Sequence, residues 1–278
     1  MRMTRKEFLA WPHKAVTLLG MSGVGKTTLA YKLPASKWFH YSGDYRIGTK
    51  YLAEPILDNI KRQAMQVDFL RDLLLSDSIY ISSNVTVHNL EPVSTFLGKI
   101  GNPSLGGLSV EEFKRRQRLH REAEIGAMRD VIDFIKKAQE IYGYDHFIND
   151  AGGSVVELDD SETLRLLAEH TLIIYLKPDA ALEKILVQRA ISNPKPLYFQ
   201  EPFLDARLKE YLKLKGISST DQIVPDEFVR WIFPSLVEHR KPLYEEITSE
   251  YGYTIDATAL GGIEGEQEFV ELLASALG

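Results

Sequence analysis

The stretch Ala15-Val16-Thr17-Leu18-Leu19-Gly20-Met21-Ser22-Gly23-Val24-Gly25-Lys26-Thr27-Thr28 decides the fold. Its first five residues form a short apolar run that reads as a buried parallel strand. The next eight fit G-x-x-x-x-G-K-[ST] at every fixed position. Lys26 to about Leu33 reads as a helix that stops before Pro34. This spacing suits a phosphate. Backbone N–H groups can wrap an anion only where side chains are absent, and the following helix points its positive end at the same charge. Gly20, Ser22, Gly23, Val24, Gly25, Lys26, Thr27 and Thr28 are therefore expected to line a nucleotide triphosphate site. Lys26 neutralises the β and γ phosphates, and the Thr27 hydroxyl serves Mg²⁺.

Outward from the loop, strand and helix patterns alternate. Lys37–Tyr41 reads as a second strand, Tyr144–Asn149 as a third, Thr171–Leu176 as a fourth and Tyr253–Ala257 as a last. Helices are expected at Leu164–Glu169, Ala180–Ala190, Phe228–Tyr251 (punctuated by Pro234 and Pro242) and Glu266–Leu277. Between the second and third strands, residues 52–144 are helical in pattern. Ile56, Ile60, Met65, Phe69 and Leu73 are spaced as one apolar face. Asn84–Leu108 is rich in turn residues. Ser109-Val110-Glu111-Glu112 forms a capping-box pattern opening a helix to about Tyr142. Residues 192–220 read as polar and turn-rich around a short helix. Alternating strands and helices imply a parallel sheet covered on both faces. The expected fold is a three-layer α/β P-loop NTPase fold spanning residues 1–278, with a helical insertion at 52–144 and a lid at 189–222.

Composition bounds the function classes. The 278 residues carry a net charge of −6, with 44% hydrophobic and 26% charged residues, as in ordinary globular enzymes. A mildly acidic chain has no global field for nucleic acid. With no cysteine, thiolate catalysis, disulfides and Cys-ligated zinc are excluded. No apolar run approaches the length of a membrane span. A cytoplasmic protein acting on a small molecule, with no membrane or nucleic-acid partner, is expected. The seven histidines show no zinc-type spacing.

Beyond the loop, four segments resemble the shikimate kinase and gluconate kinase family of small-molecule kinases. Tyr41-Ser42-Gly43-Asp44 ends the second strand, where those kinases place an acid on the acceptor hydroxyl or the metal. Asp44 takes that position, with Arg46 beside it on the acceptor side. Ser42 stands where the shikimate enzymes have a further aspartate. Asn149-Asp150-Ala151-Gly152-Gly153 is similar to their substrate-facing glycine pair, and Asp150 is a second candidate for Mg²⁺. Asn193-Pro194-Lys195-Pro196-Leu197, after a helix bearing Arg189, resembles their mobile lid, with Lys195 in place of arginine. Arg240-Lys241-Pro242-Leu243-Tyr244 resembles the segment whose arginine holds an acidic substrate. The five segments occur in the family's order and cover roughly residues 14–50 and 145–260. The long stretch 52–144 departs from the family, which argues against shikimate itself as acceptor.

The resemblance implies transfer of the γ-phosphate of ATP to a small hydroxylated or acidic acceptor. Catalysis would be positioning and charge neutralisation. Lys26, Asp44 and Arg189 are the expected catalytic residues. Gly152, Gly153, Arg46 and Arg240 would bind acceptor, and Lys195 or Arg207 would close over the nucleotide. One further feature stands apart. Lys114, Arg115, Arg116, Arg118 and Arg121, with His120, crowd one helical stretch. It reads either as an anion site or as a solvated face laced with Glu111, Glu112, Glu122 and Glu124. The alternative function is a regulatory ATPase whose insertion binds a protein or nucleic-acid partner. The segment Asp145-His146-Phe147-Ile148-Asn149-Asp150 is a poor hydrolytic acid motif and favours the kinase.

Overall fold

The computed structural model describes residues 1–278. Five strands form one all-parallel sheet: β1 (Ala15–Leu19), β2 (Trp38–Ser42), β3 (His146–Asp150), β4 (Leu172–Lys177) and β5 (Gly252–Asp256). Their spatial order is β2-β3-β1-β4-β5. The phosphate loop leaves the central strand β1 and leads into α2 (Lys26–Lys32). Sheet and loop together make a P-loop NTPase-like α/β fold. The register sets Leu18 beside Asp150, Ser42 beside Asp150, and Leu19 beside Tyr175. The carboxyl ends of β1, β2 and β3 therefore meet at one edge, where open α/β sheets place their chemistry.

Residue choice explains these strands. β1 is buried at all five positions, as a central parallel strand covered on both faces must be. Val16, Leu18, Ile148, Ile174, Leu176 and Ile255 join Phe8, Leu29, Trp38 and Phe269 in one apolar core. Full burial of each such side chain contributes roughly 1.5–3 kcal/mol. One polar chain crosses the sheet's interior with every donor used. Asn149 Nδ2 donates to Thr17 Oγ1 at 3.2 Å, the Thr17 hydroxyl meets Thr171 Oγ1 at 2.8 Å, and Thr171 donates to the Leu167 carbonyl at 2.7 Å. The donors of this buried chain are paired, while Asn149 Oδ1 is left without a hydrogen-bond partner.

The chain divides into two compact units. The first comprises residues 1–43, 124–194 and 226–278, and holds the sheet, the loop, α1 (Arg5–Ala10), α8 (Ser161–His170), α9 (Ala180–Ser192), α11 (Pro225–Tyr251, from its second residue) and α12 (Glu266–Ala276). The second comprises residues 44–123 and 195–225. It holds α3 (Gly43–Arg46, from its second residue), α4 (Ala53–Ala64), α5 (Asp68–Leu75), α6 (Glu91–Leu97) and α10 (Glu201–Lys215). The helix α7 (Val110–Glu140) contributes its first half to the second unit and its second half to the first.

Buried Arg116 braces the second unit. It donates to Glu112 Oε1 at 2.7 Å, to the Phe96 carbonyl at 2.5 Å and to Asn59 Oδ1 at 2.8 Å, and its guanidinium lies over the Phe96 ring. Gln117 uses both ends of its amide on one stretch of backbone, donating to the Leu197 carbonyl and accepting from the Phe199 N–H. Tyr198 and Phe199, within the stretch expected as a lid, are buried there.

Several elements differ from the sequence expectation. The apolar face from Ile56 to Leu73 is broken, because Val67 takes an extended backbone and separates α4 from α5. Ile56 is buried, whereas Phe69 is 72% exposed. The turn-rich stretch 84–108 contains α6, which opens with Pro92 in its first turn, where the missing N–H costs nothing. The short helix expected within 192–220 runs for 15 residues, ending at Gly216 in the left-handed region. The helix expected at Phe228–Tyr251 is present as α11, which begins three residues earlier and runs through Pro234 and Pro242 for 27 residues. Burial of Phe228, Ile232, Leu236 and Tyr244 offsets the two missing backbone donors. α1 was not expected at all. A reciprocal Thr4–Glu7 cap starts it.

Candidate active site

The phosphate loop has the backbone its sequence implies. Gly23 and Gly25 sit at φ +85° and +110°, a region that side chains rarely enter. A Cβ on Gly20 would lie 3.0 Å from the Leu176 carbonyl, so bare backbone is required there too. Leu186 of α9 and Leu260 of the turn after β5 pack within 3.3 Å of where Cβ atoms on Gly23 and Gly25 would stand. The loop is thus walled by apolar side chains while Ser22, Gly23, Thr27 and Thr28 stay exposed. Val24 is buried beneath them.

Lys26 is 7% exposed, and its ammonium donates to the Gly20 carbonyl at 2.7 Å and the Met21 carbonyl at 3.3 Å. The cation is therefore held inside the curve of the loop. The Thr27 hydroxyl donates to Asp150 Oδ2 at 2.5 Å. His40, on β2, brings Nε2 to 3.7 Å from the same oxygen, longer than a hydrogen bond. Burial pushes the Asp150 carboxyl up. His40, Lys26 and Thr27 outweigh burial and leave it below the usual carboxylate range. Asp150 is thus a carboxylate at neutral pH, held beside the loop's hydroxyl. Two hard oxygen donors of this kind fit Mg²⁺, and no cluster of three or more metal-ligating side chains offers a competing site.

The turn after β3 lies against the loop. A Cβ on Gly153 would stand 3.1 Å from the Ser22 nitrogen and 3.6 Å from the Gly20 oxygen. Gly152 is buried beside it, and Tyr244 donates to the Gly153 carbonyl at 2.7 Å. Arg240 is 4% exposed, and its Nε donates to Glu157 Oε2 at 2.6 Å, with Nη2 on the same oxygen. Burial acts to lower the guanidinium's pKa, and the Glu157 charge outweighs it, raising the net value. Ser154 donates to Glu124 Oε2 at 2.6 Å. Glu124 and Glu157 are both fully buried.

The other expected site residues fall elsewhere. Arg189 is exposed on α9 in the first unit. Asp44 and Arg46 lie on α3, in the second unit, and Asp44 stands two residues beyond Ser42, the β2 residue in register with Asp150. Lys195 is exposed in the second unit, and Arg207 pairs with Glu210 on α10 at 2.8 Å. Sequence reasoning passed over His40, Glu124, Ser154 and Glu157. Only Glu157 carried a visible signal, as a lone charge inside the apolar run Val155-Val156-Glu157-Leu158.

No protein-family model matches the chain, and no curated protein does. Among solved structures it is similar to a shikimate kinase from Bacteroides thetaiotaomicron. That likeness has 14% identity and a TM-score of 0.40, over 95% of this chain and 96% of that one. A shikimate kinase from Acinetobacter baumannii in complex with shikimate is also similar, with 13% identity and a TM-score of 0.33 over 85% and 99% of the two chains. These identities and TM-scores are too low to transfer any residue's role.

Proposed function

We propose that the protein transfers the γ-phosphate of ATP to a hydroxyl group of a small acceptor. The observation that carries this reading is the assembly of Lys26, Thr27 and Asp150 at the glycine cradle. It supplies a buried cation for the phosphates and two hard oxygen donors for Mg²⁺. The metal, when bound through Thr27 and Asp150, would neutralise charge on the phosphate oxygens. The chain's own groups do the rest. Backbone N–H groups of residues 22–27 orient the phosphates, and Lys26 stabilises charge that grows as the transferring group leaves. Asp44 is assigned to orient the acceptor hydroxyl, because it lies just past the carboxyl end of β2. Arg189, exposed on α9 beyond β4, is assigned to the outer phosphate.

The test uses γ-labelled ATP, Mg²⁺ and a fractionated small-molecule extract, with wild type and Lys26→Ala side by side. Label entering one small-molecule fraction, and lost in the mutant, supports the kinase and isolates its acceptor. Label released only as free phosphate would replace the kinase with a hydrolase.

A further inference from the structure

Arg240 and Glu157 occupy a place where the kinase reading has no assigned task for them. Arg240 is almost wholly buried, and two of its nitrogens are committed to one oxygen of Glu157. A small molecule could not reach that guanidinium without opening the packing around it. Its third nitrogen, Nη1, faces the turn after β3, 3.7 Å from where a Gly153 Cβ would stand. The same Cβ position is 3.1 Å from the Ser22 nitrogen in the phosphate loop. Four neighbouring groups hold this turn. Tyr244 donates to the Gly153 carbonyl, Ser154 donates to Glu124, the Glu157 N–H donates to the Ser154 carbonyl, and the Glu157 side chain ties the turn to α11 through Arg240.

From this geometry we propose that Glu157 is a positioning residue. Through Arg240 it sets the turn Gly152–Ser154 against the phosphate loop, and so holds the loop in its nucleotide-binding shape. Arg240 is then a brace on the loop and not a grip on an acidic acceptor. The idea rests on the nucleotide-site reading but not on phosphate transfer. A wild type that bound nucleotide without transferring phosphate would overturn the kinase reading alone. The physical reason for a charged brace is rigidity. A buried guanidinium has few low-energy alternatives to its carboxylate, so the pair fixes geometry even where it adds little net stability.

The experiment measures ADP–Mg²⁺ affinity by titration calorimetry, alongside the thermal midpoint. Glu157→Gln is expected to weaken affinity about tenfold, equivalent to ~1.4 kcal/mol of lost loop preorganisation. Because Glu157→Gln strands a buried charge and could unfold the chain, the deciding variant is the double change Glu157→Gln with Arg240→Met. Removing both charges restores the thermal midpoint, yet affinity is expected to stay weakened, since the turn is no longer tied. Glu157→Asp, which keeps the charge, is expected to recover part of the affinity. Full recovery of affinity along with stability in the double variant would overturn the proposal and leave the pair a structural one. Unchanged affinity in a folded Glu157→Gln would do the same.

Discussion

Charge is used in opposite ways around the phosphate loop of the first unit and on the exposed face of α7 in the second, where buried Arg116 is the exception. In the first unit, Lys26, Asp150, Glu124, Glu157 and Arg240 are few, buried and individually bonded. In the second, Lys114, Arg115 and Arg118 are many, solvated, and paired with acids at the surface. Lys114 bridges Glu201 and Asp205, Arg115 pairs with Glu112, and Arg118 reaches Glu201. The basic run is conspicuous in the sequence, but α10 supplies the acids that neutralise much of it. The buried charges are inconspicuous, but each has been taken out of water at a cost that only close partners offset. Density of charge along a sequence is a weak guide to a site. Isolation of charge in an apolar setting is a stronger one.

The comparison breaks most visibly if the buried pair is cut on one side. Arg240→Ala leaves the fully buried Glu157 without its principal counter-charge, and the loss of stability should be about 3–5 kcal/mol. Urea unfolding followed by circular dichroism measures it. A change below ~1 kcal/mol, the level of an exposed pair, would mean that the two units do not differ in how they use charge. Next in size is Lys26→Ala. It removes the cation from the cradle, and phosphate transfer or hydrolysis should fall by about 10²–10³ if Lys26 stabilises developing charge. Labelled-ATP turnover at saturating nucleotide is the readout.

Asp150→Asn sharpens the comparison within the loop. It keeps the shape but removes the charge that Thr27 and His40 face. Loss of such a group is expected to weaken Mg²⁺ dependence by about 10–100-fold, seen as a shift of the Mg²⁺ concentration for half-maximal nucleotide binding. An unshifted Mg²⁺ curve would remove Asp150 from the metal site.

Much of the first unit is legible in the amino-acid sequence. The β1–loop–α2 stretch reads correctly because its physics is local: a buried strand, bare backbone and a helix start follow one another without interruption. β3 and β4 read correctly because their apolar runs are short and bounded. The rest depends on partners distant in sequence. Nothing near Glu157 announces Arg240, 83 residues on, and nothing near His40 announces Asp150. In the second unit the break at Val67 is decided by tertiary packing. Neither propensity nor periodicity encodes that.

Acid titration gives the two uses of charge the same sign. Bonding to Arg115, and then to Arg116, pulls the partly exposed carboxyl of Glu112 from its ordinary 4.5 to about 2. A depressed carboxylate contributes stability that is fully present above its unfolded value. That stability is lost as the pH falls from about 4.5 towards 2. Asp150, also depressed, follows the same sign. Stability measured on acidification through that window should fall less steeply in Glu112→Gln than in wild type. An identical slope would show that Glu112 is as exposed in function as the rest of that helix face.

The smallest effect is expected from the most basic stretch. Lys114→Gln and Arg118→Gln together remove two cations from the α7 face, and both engage acids that are themselves half exposed. Surface pairs of this kind contribute about 0.2–1 kcal/mol each, and solvent screening pulls them towards the low end. The double variant should therefore lose less than ~2 kcal/mol and bind nucleotide like wild type. A nucleic-acid ligand would behave differently. Retention of wild type on immobilised RNA at low salt, lost in the variant and steeply reduced by moderate salt, would mean that these cations release counterions from phosphates. In that case Glu201 and Asp205 would be mere placeholders on a working surface, and the contrast between the units would fail. With no salt-dependent retention in either protein, the acids of α10 are the resident partners of this helix face.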